Sequence, residues 1–233
     1  GPAGPGRRSL LERLRARQLR PQEALEAAEA LKSGGFLSAL EDYAAVLSVV
    51  ARAGLWAYAL GLLWECQRLS LNPNRVLYNS AIAACEKGRQ WRAALSLLEK
   101  SLLQSLQPDT VSYSSAIAAC ERCGRSDRSA GLLADMDERA IDPNVITFNG
   151  AIGACAKSSS WARASELMGA MQSRGLRPDV VTHNAAMTAC SRGQQWQLTL
   201  ELLAQLLGSG LQPDAISFNV AIGACEEGRV WQE

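Results

Sequence analysis

The stretch VITFNGAIGACAKSSSWARASELMGAMQSRGLRPD, residues 145–179, is one of four complete 35-residue blocks that follow one another and resemble each other closely. The others occupy residues 75–109, 110–144 and 180–214. Two columns of residues keep the same step along the chain, namely Cys85, Cys120, Cys155, Cys190 and Cys225, and Pro73, Pro108, Pro143, Pro178 and Pro213. A fixed period of this length is the signature of a repeat architecture.

Each block has the hydrophobic pattern of two short helices. In the block from Arg75, the residues Tyr78, Ile82 and Cys85 lie on one face of a first helix, and the segment from Trp91 to Leu102 repeats the pattern. Gly88 lies between them, where a glycine suits the C-terminus of a helix, and a Gln-Pro-Asp break follows the second helix. The unit is therefore helix, turn, helix, turn.

Helices of about 12 residues are marginal in isolation, so these hairpins must stack on their neighbours. The small residues of the AIAAC segment, such as Ala81 and Ala84, allow close approach of successive first helices. The sequence therefore predicts an all-α fold, a right-handed α-solenoid of stacked helix-turn-helix repeats with a long concave surface.

We expect residues 1–39 to form a flexible basic segment and cap helices, and residues 40–233 to form the repeat array. The block 40–74 is a degenerate first repeat, because Val50 replaces its cysteine. The block 215–233 is partial, so we expect a longer parent protein. The segment from Arg7 to Arg20 has six arginines and one acid. It suits a cap helix, a transit-peptide remnant or a helix that touches nucleic acid.

Composition and residue spacing limit the kinds of function that we expect of this chain. The net charge is +1, 48% of the residues are hydrophobic, and the longest nearly apolar stretch, Gly54 to Trp64, is too short to span a bilayer. The five periodic cysteines are predicted core residues, Cys120 and Cys123 form an accidental C-x-x-C, and His183 replaces a core aromatic. We expect no metal, no cofactor, no small-molecule substrate and no enzyme activity.

The blocks resemble the pentatricopeptide repeat family, whose consensus begins V-x-T-Y-N-x-x-I and ends G-x-x-P-D. The residues Val145 to Asn149 and Leu176 to Asp179 match it almost position by position, and the resemblance covers residues 40–233. The related tetratricopeptide repeat is one residue shorter and has its tryptophan in the first helix. The A-C-E-K-G-x-x-W phrase is also similar to members of the family from dinoflagellate algae.

The resemblance implies selective binding of single-stranded RNA, one base per repeat. In the family, the fifth and last residues of a block face the base together. The implied uracil-reading pairs are Asn79 with Asp109, Asn149 with Asp179, and Asn184 with Asp214, while Ser114 with Asn144 is the implied adenine-reading pair and Asn219 opens a further site. In the family, successive repeats from the N-terminus contact successive bases from the 5′ end of the RNA. The implied core site is therefore U-A-U-U. Ala44 with Asn74 implies little selectivity.

Two further columns are implied to contact RNA. The aliphatic second residues are expected to sandwich successive bases: Val76, Val111, Ile146, Val181 and Ile216. Four cations near the ends of the first helices are expected to contact phosphates: Lys87, Arg122, Lys157 and Arg192. Glu227 stands at the position of these cations in the last block, so the expected phosphate contact is weaker there.

Purely structural roles explain part of these patterns. Asp109 and Asp179 precede helices and can cap them, as can Ser112 and Thr147, and the cations complement helix C-termini. Capping explains one position of each reading pair, not both. The resemblance thus implies an organellar protein, of chloroplast or mitochondrion, that acts in RNA stabilisation, processing or translation, within a ribonucleoprotein or with protein subunits. A protein–protein scaffold without RNA readout is the alternative, which the near-neutral charge favours.

Overall fold

The computed structural model describes residues 20–37 and 39–228, and within these ranges the backbone forms twelve α-helices and no strand. In chain order they are α1 Pro21–Ser33, α2 Leu40–Arg52, α3 Trp56–Arg68, α4 Arg75–Lys87, α5 Trp91–Leu103, α6 Thr110–Arg122, α7 Ser126–Glu138, α8 Val145–Ser158, α9 Trp161–Ser173, α10 Val180–Arg192, α11 Trp196–Gly208 and α12 Ala215–Gly228. The helices α2, α4, α6, α8, α10 and α12 begin 35 residues apart. The predicted pair of helices per block is confirmed.

The chain divides into two compact units, one up to Ala119 and the other from Cys120. In the first, α4 packs against α2, α3 and α5. The helix α1 packs against α2 and buries Ala24, Ala28 and Leu31. The predicted flexible and basic residues 1–19 lie outside the described part of the chain. In the second unit, α10 packs against α8, α9, α11 and α12. Each complete helical pair therefore rests on a neighbouring one.

Small side chains of the first helices form the core, as the AIAAC segments predict. In α4, α8 and α10 the first, fourth and fifth residues of these segments, which are alanine, alanine and cysteine, are at most 1% exposed, whereas Ala83 at the third position of the segment in α4 is half-buried. Burial raises the pKa of the Cys85 thiol to about 11 and that of Cys120 to about 12, so neither is a reactive thiolate. Val50, which replaces the cysteine in α2, is equally buried. Cys225 and Cys123 are only half-buried.

Aromatic side chains at the fourth position are also buried in the blocks before the last one, whereas Phe218 of the partial last block is 47% exposed. Tyr78 donates its hydroxyl proton to Gln104 at 3.0 Å and accepts a hydrogen bond from Gln67 at 2.9 Å. His183, which stands in the same place, is 4% exposed, and its Nδ1 lies 2.9 Å from the carbonyl of Asp179. The interpretation of His183 as a core substitute is confirmed.

The glycine between the two helices of a block has a role that its sequence position did not indicate. Gly88 has φ −75° and ψ 0°, which any residue can adopt. A Cβ at this position would lie 2.3 Å from Cδ1 of Trp56, the first residue of the preceding second helix. Trp161 covers Gly193 in the same way, at 2.4 Å. At Gly88 and Gly193 a Cβ would therefore overlap the ring where it now lies, and the left-handed residue of the first of these turns is the next one, Arg89, at φ 55°.

One junction in the second unit replaces the tryptophan and glycine by two serines. Ser126 takes the place of the tryptophan and Ser158 that of the glycine, and their hydroxyl oxygens are 2.9 Å apart. At this junction both positions differ from those of the other blocks, whereas Cys123 occupies the glycine position of its block although the block before it keeps Trp91. None of the described helices is long and apolar enough to cross a membrane.

Candidate nucleic-acid interface

The last residue of the degenerate block 40–74 and of each of the four complete blocks caps the first helix of the next block. Its side-chain oxygen accepts a hydrogen bond from the backbone N–H three residues later, at 2.8 to 3.1 Å. The capping residues are Asn74, Asp109, Asn144, Asp179 and Asp214. Capping of this kind stabilises a helix by about 1 kcal/mol, so the structural role of these positions is real.

Three of these caps also bind the fifth residue of their own block. The side-chain amide of Asn149 donates to both oxygens of Asp179, at 3.2 and 3.3 Å. The amide of Asn79 donates to Asp109 at 3.3 Å, and that of Asn184 to Asp214 at 2.9 Å. The structure thus brings together the residues of all three predicted uracil-reading pairs.

A third side chain, which is not among the predicted site residues, completes each group. The hydroxyl of Thr182 donates to the amide oxygen of Asn149 at 2.6 Å and approaches Asp179 at 2.8 Å. The hydroxyls of Ser112 and Ser217 make the corresponding contacts with Asn79 and Asn184, also at 2.6 Å. We call each such set of asparagine, aspartate and following Ser or Thr a triad. The available signal was a Ser or Thr 33 residues after each of these asparagines.

The hydrogen bonds of the triads keep the carboxylates ionised. Burial opposes ionisation of Asp179, but hydrogen bonds from Thr182 and Asn149 outweigh it and lower the pKa of the carboxyl group. Burial likewise opposes ionisation of Asp109, whose pKa is lowered by Ser112, Asn79 and the nearby Arg75. Hydrogen bonds from the backbone of Ser217 and from Asn184 lower the pKa of Asp214. Each carboxylate is therefore an acceptor at neutral pH.

A column of exposed aliphatic side chains stands at the second position of the blocks. The exposed fractions are 60% for Val76, Val111 and Val181, 71% for Ile146 and 57% for Ile216. Each lies one residue before the third residue of a block and three before the fifth. Core packing therefore does not explain why this position is aliphatic in every block from residue 75 onward.

The predicted phosphate-binding cations lie exposed near the C-terminal ends of the first helices. Lys87 donates to the carbonyl of Arg52 at 3.0 Å, and Arg192 to that of Ala156 at 3.2 Å. Lys157 pairs with Glu121 at 3.1 Å. These contacts complement the negative ends of helices, and Arg122 and Glu227 are exposed at the equivalent positions.

The remaining predicted site residues lie on the same helices and turns. Ser114 is half-buried on α6, Asn144 caps α8, and Asn219 is exposed on α12. Ala44 is half-buried on α2, and Leu77, which follows it after 33 residues, offers no hydroxyl. Within residues 20–37 and 39–228, no three His, Cys, Asp or Glu side chains are grouped so as to hold a metal ion.

Sequence models of one repeat family match the chain in several places. A model described as the PPR repeat family matches residues 108–157, and one described as a pentatricopeptide repeat domain matches residues 166–227. A third, described as a PPR repeat, matches residues 76–102 and 146–176. Together these ranges cover more than half of the chain. No curated protein matches the chain significantly.

Solved structures with a similar backbone belong to proteins of the same kind. The pentatricopeptide repeat protein PPR10 in complex with an 18-nt psaJ RNA element is 20% identical with a TM-score of 0.51, over 96% of this chain and 38% of that one. PPR10 from maize gives a TM-score of 0.54 at 20% identity, over 97% and 37% of the two chains. This chain thus spans little more than a third of PPR10.

A third solved structure is covered almost entirely. It is the PPR domain of Arabidopsis thaliana protein-only RNase P 1 in complex with tRNA, which is 12% identical with a TM-score of 0.66, over 77% of this chain and 95% of that one. At these identities the likeness shows the fold, which is an all-α helical repeat solenoid.

Proposed function

The chain belongs to the pentatricopeptide repeat family, and we propose that it binds single-stranded RNA sequence-selectively. The observation that carries the proposal is the triad, which recurs three times with the same hydrogen bonds. Each triad lies beside an exposed aliphatic residue of the second position. Helix capping requires neither the asparagine nor the exposed valine or isoleucine, whereas recognition of a base uses both.

The chemistry of a triad suits uracil. The amide of Asn149 gives one N–H to Asp179 and keeps another, and the carboxylate keeps free lone pairs. A uracil edge offers one N–H donor between two carbonyl acceptors, so an amide next to a carboxylate complements it. Exposed aliphatic residues such as Val181 and Ile216 would lose their contact with water when they cover the faces of a base.

The pairs assign one base to each complete block. Asn79 with Asp109, Asn149 with Asp179, and Asn184 with Asp214 read uracil, and Ser114 with Asn144 reads adenine. Asn219 contributes to a further site in the last block. The resulting core site is U-A-U-U, with little selectivity at the first block, because Ala44 offers no hydrogen bond.

The biological setting follows the family. Proteins with these repeats generally act in organelles, and we place this one in a chloroplast or mitochondrion, in RNA stabilisation, processing or translation. It acts alone or within a ribonucleoprotein that includes protein subunits. The complexes of PPR10 with RNA and of the RNase P domain with tRNA support RNA as the partner.

Gel-shift titration tests the assignment directly. We expect the chain to bind an RNA containing U-A-U-U at least about fivefold more tightly than a shuffled RNA, the equivalent of about 1 kcal/mol for a hydrogen-bonded contact. Equal binding to both RNAs would contradict the base assignment. Absence of RNA binding, with protein partners crosslinked to Asn79 or Asn149, would favour the scaffold.

A double substitution tests the third base. Asn149→Ser with Asp179→Asn copies Ser114 and Asn144 into the next block, and Asn144 shows that asparagine still caps the helix. We expect the preferred RNA to change from U-A-U-U to U-A-A-U, measured with RNAs that differ only at that base. An unchanged preference for uracil there would contradict the role of this pair.

A further inference from the structure

The hydroxyl in each triad makes one of the shortest contacts among the described side chains. Its distance to the asparagine oxygen is 2.6 Å at Ser112, Thr182 and Ser217. All three residues are at most 2% exposed. A hydroxyl so buried is shielded from water, and its proton is directed to protein acceptors.

The contact decides how the amide is oriented. An asparagine amide can turn by 180°, which exchanges its donor and acceptor. The hydroxyl oxygen of Thr182 already accepts from the backbone N–H of Asp179 at 3.1 Å. Its proton points towards two acceptors, the amide oxygen of Asn149 at 2.6 Å and the carboxylate of Asp179 at 2.8 Å, and the amide oxygen is the nearer. With the carboxylate facing the amide nitrogen, the hydroxyl fixes Asn149 in one orientation. One N–H and one lone pair of the amide then remain for a ligand.

Capping accounts for only part of what the hydroxyl contacts. The hydroxyl oxygens accept a hydrogen bond from the backbone N–H of the capping residue at 3.1 to 3.3 Å, as in a capping box, but a cap does not need the further contact with the asparagine. At the start of α4, Asn74 caps the backbone N–H of Leu77 at 3.1 Å without any hydroxyl at the third position. The fifth residue of the preceding block is Ala44, which lies 33 positions before Leu77 and has no amide to orient. Each polar fifth residue, by contrast, is followed after 33 positions by Ser or Thr, namely Ser112, Thr147, Thr182 and Ser217. The hydroxyl therefore accompanies the polar fifth residue as well as forming part of the cap.

We propose that the third residue of a block is a positioning residue that sets the base selectivity of the block before it. Ser112 acts on Asn79, Thr182 on Asn149, and Ser217 on Asn184. This inference rests on the proposed RNA-binding function. The role of the third residue is to hold the asparagine amide of the block before it in the orientation that binds uracil. Loss of its hydroxyl therefore lowers selectivity at one base.

The test uses Thr182→Val, which keeps the shape of the side chain and removes the hydroxyl. We expect its preference for uracil over other bases at the third position of U-A-U-U to fall about fivefold, the value of one hydrogen bond. Preferences at the other positions should be unchanged, and Thr182→Ser should retain the wild-type preference. Thr199→Val is the matched control, because it removes an equally buried hydroxyl that donates to the carbonyl of Gln195.

A second readout is independent of RNA. In the free protein, ¹⁵N relaxation of the Asn149 side-chain amide should show greater mobility in Thr182→Val than in wild type and in Thr199→Val. Ser217→Ala provides the same measurements at Asn184 if Thr182→Val does not fold.

The outcomes separate the two proposals. Wild type that does not discriminate U-A-U-U from its shuffled counterpart overturns the base assignment, and the selectivity role of the hydroxyl falls with it. Wild type that discriminates, while Thr182→Val discriminates equally well, overturns the positioning role alone. An equal loss of affinity for every RNA would show a merely structural role, as would an Asn149 amide that is as rigid in the variant as in wild type.

Discussion

Asp179 accepts hydrogen bonds from two neighbours, the backbone N–H of Thr182 at the start of α10 and the side-chain amide of Asn149. A neutral asparagine can serve as the cap, since Asn144 does so in the same chain. The carboxylate adds a charged acceptor. Hydrogen bonds to charged groups contribute more to folding stability than hydrogen bonds between neutral groups. The charge at this position can therefore be examined apart from the cap.

Asp179→Asn should lower stability at neutral pH by roughly 1 kcal/mol, because it replaces a charged acceptor by a neutral one. The pKa of Asp179 is lowered in the folded protein. The charge therefore contributes its stability above the carboxyl pKa of the unfolded chain, about 4, and loses it as the pH falls through the lower folded pKa. Thermal unfolding of both proteins from pH 7 to pH 3 should show the difference shrinking below about pH 4. A difference that is constant over this range would contradict the role of the charge.

At the scale of the elements, the junction between consecutive blocks is formed by a tryptophan ring that packs against a glycine. Trp161 begins α9 and covers Gly193 at the end of α10. Because the Cβ of an alanine there would lie 2.4 Å from the ring, the ring or the turn must move. The Ser126 and Ser158 pair shows a second combination that fits the same kind of junction.

Gly193→Ser should lower the free energy of unfolding by about 1–3 kcal/mol, because it overpacks the junction. Trp161→Ser alone removes a partly exposed ring. The double variant, which copies Ser126 and Ser158, should be more stable than the sum of the two single effects predicts, by at least about 0.5 kcal/mol. Denaturant unfolding of all four proteins measures this coupling. Strictly additive effects would mean that the ring and the glycine act independently.

The sequence predicts the elements well where a pattern along one helix decides them. The period, the helical pairs, the buried cysteines and the core position of His183 were predictable, because burial of one helix face imposes its own spacing. The roles of Gly88 and Thr182 were not. Sequence rules assign such residues to helix ends and caps, whereas here a contact with a residue more than 30 positions away decides their role.

At the scale of the whole molecule, the net charge of +1 leaves little long-range attraction for RNA. The candidate phosphate contacts are four cations, Lys87, Arg122, Lys157 and Arg192. Two of them donate to helix carbonyls and one pairs with an acid. RNA affinity should therefore depend on salt only moderately.

We expect the logarithm of RNA affinity to fall with the logarithm of salt concentration with a slope no steeper than about −3, from about −0.7 for each phosphate on a single strand. Lys157→Met should make the slope about 0.7 less steep and weaken U-A-U-U and shuffled RNA by the same factor. Glu121→Gln, which frees Lys157 from its partner, should have the opposite effect. Titrations between 50 and 200 mM salt measure all three, and a slope unchanged by Lys157→Met would remove this residue from the interface.

The hydrogen bond between Thr182 and Asn149 has a practical consequence for engineering. A designer who exchanges whole blocks would cut the gene between Asp179 and Val180, and would then transplant an asparagine without the hydroxyl that belongs to it. The portable cassette runs instead from the fourth residue of one block to the third of the next, residues 148–182. Grafts made in that frame carry Asn149, Asp179 and Thr182 together, with the hydrogen bonds that join them.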